Sequence, residues 1–355
     1  MVYAISSDPL LQWVFWTGIL LVLVTVLLLL MVFWLRLSLL YKKKRQQALM
    51  ATWAPIWEQC AQNQLPESVP VLRRDDLNTF LAFWINLHEI AEPNLQELYS
   101  LVVLQAGVQR HLKAAFYSRH NRTRLLAITA IGFLRDTSYW DALQQEAMSK
   151  NPFLSLAAVR ALLLLEVERA IPQLLQWLPQ RTDWPAARLS MMLMEVGIDA
   201  ISQPLAQAVE QASAHSLPRL IPYLEMTSAQ QAIPVLERLL KQHPLPEVVL
   251  PCLQVVGKFS QFSNRALVYP WLQHPQATLR AEAAKALGKL AWAEDEPRLL
   301  PLLSDTELLV RYRAAQALLR LPHMDSPRLA ALKSGLSDPF AVDVLTRVMT
   351  EQGLR

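Results

Sequence analysis

The residues that most resemble acid/base machinery are His88 and Glu89, side by side in the stretch DLNTFLAFWINLHEI. General acid/base catalysis needs both groups to converge on one reacting atom. Adjacent residues on a helix point about 100° apart, so this pair is expected on a solvent face. The other histidines, at 111, 120, 215, 243, 274 and 323, form neither HExxH nor HxxxH, and Cys60 and Cys252 lie far apart in sequence. No zinc-binding spacing is present. Eight glycines in 355 residues offer no P-loop, GxGxxG or GxSxG for a phosphate cradle or a nucleophile elbow. The sequence therefore reads as a chain that is not an enzyme, with no catalytic residue, metal or cofactor.

RTDWP, residues 181–185, is the most distinctive motif outside the regular pattern. Trp and Arg are common binding hot spots. In a turn between helices the same residues have structural work: Asp183 as a cap, Pro185 opening a helix and Trp184 covering the gap. The structural role is the one expected.

The elements that must position these residues are legible as a repeat. RAEAAKALGKL begins at Arg280 and RYRAAQALLRL at Arg311, 31 residues later. Small or apolar residues fall at +3, +4, +7 and +10 from each arginine, one face of a helix. The same offsets fit anchors at Arg124, Ser155 and Val249, and less strictly at Ala186, Leu217 and Val342. Thirty-one residues suit two helices and two turns. Ahead of the anchors, Pro172, Pro204, Pro234, Pro270 and Pro301 are expected in the first turn of the first helix, where a missing N–H costs nothing. Asn151, His274, Ser304, Asp305 and Asp338 punctuate the turn before the second helix, where Asn, Asp and Ser side chains can cap it. Strand signals are absent.

This pattern resembles the HEAT repeat family, in particular its short form found in phycobilisome-lyase-like proteins. Proline in the first helix, Asp305 and Asp338 at the turn, and Arg124, Arg280 and Arg311 opening the second helix carry the resemblance. At the other anchors Ser155, Ala186, Leu217, Val249 and Val342 replace the arginine, so an Asp–Arg ladder through the stack is expected to be partial. The resemblance implies an all-α chain ending in an α-α superhelix, a HEAT/armadillo-like solenoid, over residues 119–355. Residues 46–118 are expected to form a helical cap, which repeat arrays need at their ends. Its helices would be 76–90, with Leu77, Phe80, Leu81, Trp84 and Leu87 on one stripe, and a single long helix over 95–116, with a loop at 65–71.

Residues 13–35, WVFWTGILLVLVTVLLLLMVFWL, carry no charge. About 20 apolar residues span a hydrocarbon core of roughly 30 Å, and Trp13, Trp16 and Trp34 stand at the ends, where interfacial aromatics belong. Arg36 can snorkel to headgroups. A cleaved signal peptide would need a basic leader and a shorter core, whereas MVYAISSDPL has Asp8 and no Lys or Arg. Lys42, Lys43, Lys44 and Arg45 follow the span. Residues 1–45 are therefore expected to be a single-pass anchor in the inner (plasma) membrane, with the N-terminus outside and the repeats in the cytoplasm. The scarcity of cysteine fits that compartment.

The chain holds 34 basic and 30 acidic residues, and residues 1–50 hold five of the former and one of the latter. The remaining 29 of each balance, so the global basic charge of a nucleic-acid binder is missing. What remains is a patterned surface. Offsets +2, +5 and +9 of the second helix point away from the core stripe and, in such solenoids, toward the concave side. They read Leu126, Thr129, Phe133; Ala157, Arg160, Leu164; Pro251, Gln254, Lys258; Glu282, Lys285, Lys289; and Arg313, Gln316, Arg320. Partner binding is expected here, apolar around Leu126, Phe133 and Leu164 with Arg160 among them, and basic around Lys258, Lys285, Lys289, Arg313 and Arg320. The expected function is a membrane-anchored scaffold for a protein partner, such as a membrane-associated enzyme or assembly. The alternatives are a lyase-like enzyme or subunit of the phycobilisome-lyase type, and an adaptor for an anionic ligand or lipid.

Overall fold

The computed structural model describes residues 9–353, all helix, turn and loop; Asp8 and the rest of the leader lie outside the described residues, as do 354 and 355. Contacts divide the chain into one unit up to Leu134 and another from Arg135.

The first unit is built on α1 (Pro9–Ala61), a single helix of 53 residues. Its most apolar window has a mean hydropathy of 3.0 and is not buried at all. Beyond Tyr41 the helix runs on through strong helix formers, and Trp53, Ile56, Trp57 and Cys60 become buried, spaced as one helical face. The expected boundary at 45/46 thus falls inside one helix: 46–61, read as part of the cap, continues the apolar segment. That face packs on α2 (Leu77–Ile90) and α3 (Pro93–Gln105), with Trp53 4.5 Å from Phe80 and Trp57 edge-on to Tyr99 at 5.5 Å. Burying each such large apolar side chain contributes about 1.5–3 kcal/mol.

The long helix expected over 95–116 is two, α3 and α4 (Gln109–Phe116). Gly107, at φ 75°, breaks it, because a left-handed residue ends the helical ladder. Of the residues expected on its core stripe, Leu98, Leu101, Val102, Gln105 and Val108, Val102 and Val108 are buried, but Leu101 and Gln105 are exposed, and Tyr99 and Val103 are buried in addition. α5 (Asn121–Phe133) packs on α2 and α4. The repeat expected to open the array at Arg124 therefore belongs to the first unit, and the division falls after Leu134 rather than after residue 118.

In the second unit the helices follow as α6 (Trp140–Ala147), α7 (Pro152–Leu165), α8 (Val167–Trp177), α9 (Ala186–Val196), α10 (Ile198–Gln211), α11 (Leu217–Leu220), α12 (Ala229–Gln242), α13 (Pro246–Val256), α14 (Ala277–Leu290), α15 (Glu296–Leu299), α16 (Leu308–Leu318), α17 (Ser326–Gly335) and α18 (Pro339–Glu351). One layer stacks α8 on α10 on α12; the other stacks α13 on α14 on α16 on α18. These are the first and second helices of the 31-residue repeat. Some members are not full helices. The second helix expected at Leu217 is α11 followed by a 3-10 segment, Ile221–Met226, because Pro218 and Pro222 interrupt it. The first helices of the repeats anchored at Arg280 and Arg311 are likewise shortened: one is the 3-10 segment Tyr269–Gln273, the other is α15 followed by the 3-10 segment Leu300–Ser304.

Pro270 and Pro301 sit in the first turn, as expected. Pro172, Pro204 and Pro234 do not; they lie inside α8, α10 and α12. Those helices begin earlier than the prolines suggested, so each proline removes an intrahelical donor. The caps at Asn151 and Asp338 form: Asn151 accepts from the N–H of Phe153 and Leu154, and Asp338 from Phe340. Asp305 accepts from Glu307 in the turn before α16 rather than capping the helix, whose N-cap is Glu307. The α14/α16 contact rests on small residues. A Cβ at Gly288 would lie 2.5 Å from Ala317 Cα, so only glycine admits the approach.

Candidate interaction surface

The last three well-formed repeats bring their outward offsets together. α13, α14 and α16 stack in order, so residues at equal offsets form a row on the second-helix face. Lys258 reaches back to Glu225 in Ile221–Met226 at 3.3 Å. Lys285 pairs with Glu282 one turn earlier at 2.5 Å, and Arg313 donates to the Gln316 side-chain oxygen at 2.9 Å. Lys289 lies across Gly257, where a Cβ would come 2.8 Å from its Cδ. Among the described residues neither Lys289 nor Arg320 makes an ion pair. Burial, then Lys285 and Lys258, push the Lys289 ammonium below the ordinary lysine range; Glu282 opposes them and Arg320 adds to them.

The apolar group is placed differently from the basic one. Leu126, Phe133 and Leu164 are half-buried rather than exposed, and Phe133 stacks on His88 with ring centroids 4.1 Å apart. His88 itself is buried, while Glu89 is exposed. The expected solvent-face position for His88 is thus corrected: its ring face packs on Phe133 in the first unit. Arg160 reaches Glu195 at 3.1 Å. Exposed apolar residues of the second helices include Phe153 on α7, Leu308 and Leu309 on α16, Phe340 on α18, and Met191 and Met194 on α9; the offsets passed over the two methionines. The signal was the run SMMLMEV, in a repeat that matches the pattern weakly.

RTDWP is a joint. Trp184 is 2% exposed and its indole N–H donates to Ser155 Oγ at 3.0 Å, which in turn donates to the Ala147 carbonyl at 2.6 Å. Arg181 joins Asp183 at 2.7 Å and the Ala147 carbonyl at 2.8 Å. Arg219 closes the joint by donating to the carbonyls of Leu178, Arg181 and Trp184. Asp183 does not cap α9, contrary to expectation, because Arg181 holds it; that hydrogen bond lowers its carboxyl below the usual range.

A further polar cluster has no counterpart among the sequence motifs. Asp295, fully buried, accepts from Tyr269 Oη at 2.8 Å and from Arg265 at 3.1 Å. Next to it in sequence, Glu296 meets His323 at 2.5 Å and Arg328 at 2.9 Å. These partners are 26–32 residues apart, one repeat length, which was the available signal.

In the first unit, Trp13, Trp16 and Trp34 are exposed on α1, as are Lys42, Lys43 and Lys44. Arg45 is drawn to Asp76 at 2.6 Å and Asp75 at 3.5 Å, which ties the basic run to the start of α2. Arg36 is exposed. Among the described residues no group of His, Cys, Asp and Glu is placed to hold a metal ion.

No family model matches the chain, and no curated protein does. Similar solved structures include an engineered protein, 15% identical with a TM-score of 0.36 over 77% of this chain and 85% of that one. Human deoxyhypusine hydroxylase in complex with glycerol is 17% identical, with a TM-score of 0.31 over 78% and 99%. Kap121p is 13% identical, with a TM-score of 0.44 over 81% of this chain and 43% of its own. Resemblance at this level carries no inference about activity.

Proposed function

We propose that the chain is a HEAT-like repeat scaffold held to a membrane by the first part of α1, and that it binds a protein partner rather than catalysing a reaction. The observation that carries the reading is the two-sided character of α1. Its apolar part is wholly unburied while its last turns are buried in the first unit. An uncharged helix of 23 residues, about 35 Å long, left uncovered by its own chain matches a bilayer core. Continuity of the helix couples the first unit to the anchor. Lys42, Lys43 and Lys44 put the repeats on the cytoplasmic side by the positive-inside tendency. Confinement to the membrane plane would raise the effective concentration of a membrane-associated enzyme or assembly.

The test is fractionation followed by crosslinking of the full chain in its native cells. Retention in membranes through an alkaline wash, release by detergent and a stoichiometric crosslinked protein are the expected results. Release by the wash alone would remove the anchor, and a chain crosslinked to nothing would remove the scaffold.

A further inference from the structure

The row formed by α13, α14, α16 and the turns that end α13 and α16 holds more positive charge than its own acids neutralise. Its cations are Lys258, Lys285, Lys289, Arg313 and Arg320, against Glu225 and Glu282. Such an excess on adjoining elements is self-repulsive, and like charges within a turn or across a contact cost a few tenths of a kcal/mol each. Gly257 lets the Lys289 stem cross the neighbouring helix and leaves the ammonium among other cations. The lowered proton affinity of Lys289 agrees with that crowding. An anion arriving from outside relieves it.

We infer that this row is the docking site for an acidic, extended segment of the protein partner, carrying carboxylates spaced to match the repeats. The inference rests on the scaffold reading and names the chemistry of the partner. Neighbouring helices pack about 8–10 Å apart, so the cations of successive repeats recur at that interval. In a chain extended as polyproline II, with three residues per turn at about 3.1 Å each, every third residue recurs on the same face at roughly 9 Å. Gln254 and Gln316 stand at the +5 offset on α13 and α16, and carboxamides both donate to and accept from a peptide backbone. A helix would bring no such backbone groups, since its own ladder satisfies them. A phosphate polymer fits less well, because its closely spaced charges would meet Glu225 and Glu282. Discrete carboxylates can fall on the cations and miss the acids.

The experiment uses the full chain in nanodiscs of electroneutral phosphatidylcholine and a rhodamine-labelled peptide of 18 residues with Glu at every third position, read by fluorescence anisotropy. Binding is expected, weakening about tenfold between 50 and 300 mM salt. The triple variant Lys285→Glu, Lys289→Glu, Arg320→Glu should weaken it at least tenfold while circular dichroism stays unchanged. Arg238→Glu, on the first-helix layer, should leave it intact. The same peptide with Gln for Glu should not bind. Equal binding by the triple variant overturns the site, as does tighter binding of an oligo-dT strand that the triple variant abolishes, which would make the occupant a nucleic acid. The triple variant then separates the two readings in cells. A crosslinked partner that persists in it leaves the scaffold standing and removes this site. Peptide binding without any crosslinked partner does the reverse.

Discussion

Two joints in the second unit solve the same problem with different chemistry. At α14 the anchor is Arg280: it donates to the carbonyls of His274 and Pro275 in its own turn, and forks onto Asp305 of the next turn at 2.7 and 2.8 Å. At α7 the anchor is Ser155: it donates to the Ala147 carbonyl and accepts from Trp184 of the next turn. Both tie a second helix to the turn on each side. One does so with a shielded ion pair, the other with a buried indole. The repeat therefore constrains a function at the anchor position, namely to bridge successive turns, and leaves the residue type open. Arg311 follows the first pattern in its own turn, donating to the carbonyls of Asp305 and Thr306.

The largest effect should come from the indole joint. Trp184→Ala removes a fully buried ring and is expected to cost about 3–5 kcal/mol, seen as a lower urea midpoint for the full chain in detergent. Trp184→Phe keeps most of the apolar volume and loses the hydrogen bond, for about 1–2 kcal/mol. The indole and the Ser155 hydroxyl carry no charge, so neither loss should vary between about pH 5 and 8, where the neighbouring Asp183 carboxyl, held below its usual range by Arg181, stays ionised. If Trp184→Phe cost as much as Trp184→Ala, the hydrogen bond rather than packing would define the joint.

A smaller and pH-sensitive effect is expected at the ionic joint. Arg280 and Asp305 are 13% and 9% exposed at their side chains, so Asp305→Asn should cost about 1–2 kcal/mol, between the values of surface and buried pairs. Burial alone would raise the Asp305 carboxyl, but the Arg280 hydrogen bond and charge and the Glu307 N–H together hold it below the usual range. Folding thus depresses its pKa below the unfolded value of about 3.9. The stabilisation is full above that value and is lost as pH falls through the folded one. The gap between wild type and Asp305→Asn should accordingly begin to narrow below about pH 4 and close only as pH falls through the depressed folded value, and a gap that did not narrow in that acid range would rule out the charge as its source.

These joints show how far the amino-acid pattern reaches. The 31-residue spacing and the cap residues place most second helices, because apolar periodicity and capping are local. The caps at Asn151 and Asp338 could be read directly, and so could the burial of Phe80, Leu81 and Trp84. What escaped were features decided by a second segment. Helix starts ahead of Pro172, Pro204 and Pro234 depend on tertiary packing that tolerates a lost donor. The burial of His88 depends on Phe133, and the docking of 46–61 on Phe80 and Tyr99, partners too distant for periodicity to reveal. On the candidate surface, the basic residues were legible because they repeat at fixed offsets from an alanine stripe. The apolar ones were misjudged as exposed, since offsets say which way a side chain leaves its own helix and not what covers it.

The smallest effect bears on whether the basic row is maintained for binding rather than for folding. Lys289 is pushed below the ordinary lysine range by burial and by Lys285 and Lys258, so its charged form destabilises the native state. That cost is fully present below the folded pKa and disappears as pH rises through it toward the unfolded value of about 10.4. Lys289→Met keeps the stem over Gly257 and removes the charge; it should therefore stabilise the chain by about 0.5 kcal/mol at pH 7, with the advantage fading toward pH 10. In the same preparation it should weaken the acidic peptide a few-fold. A residue that costs stability and adds affinity is the mark of a functional site, and at Asp305 the reverse is expected, a loss of stability with peptide affinity unchanged. Should Lys289→Met destabilise the chain instead, Lys289 would stand with Arg280 and Asp305 as a structural joint of the repeats.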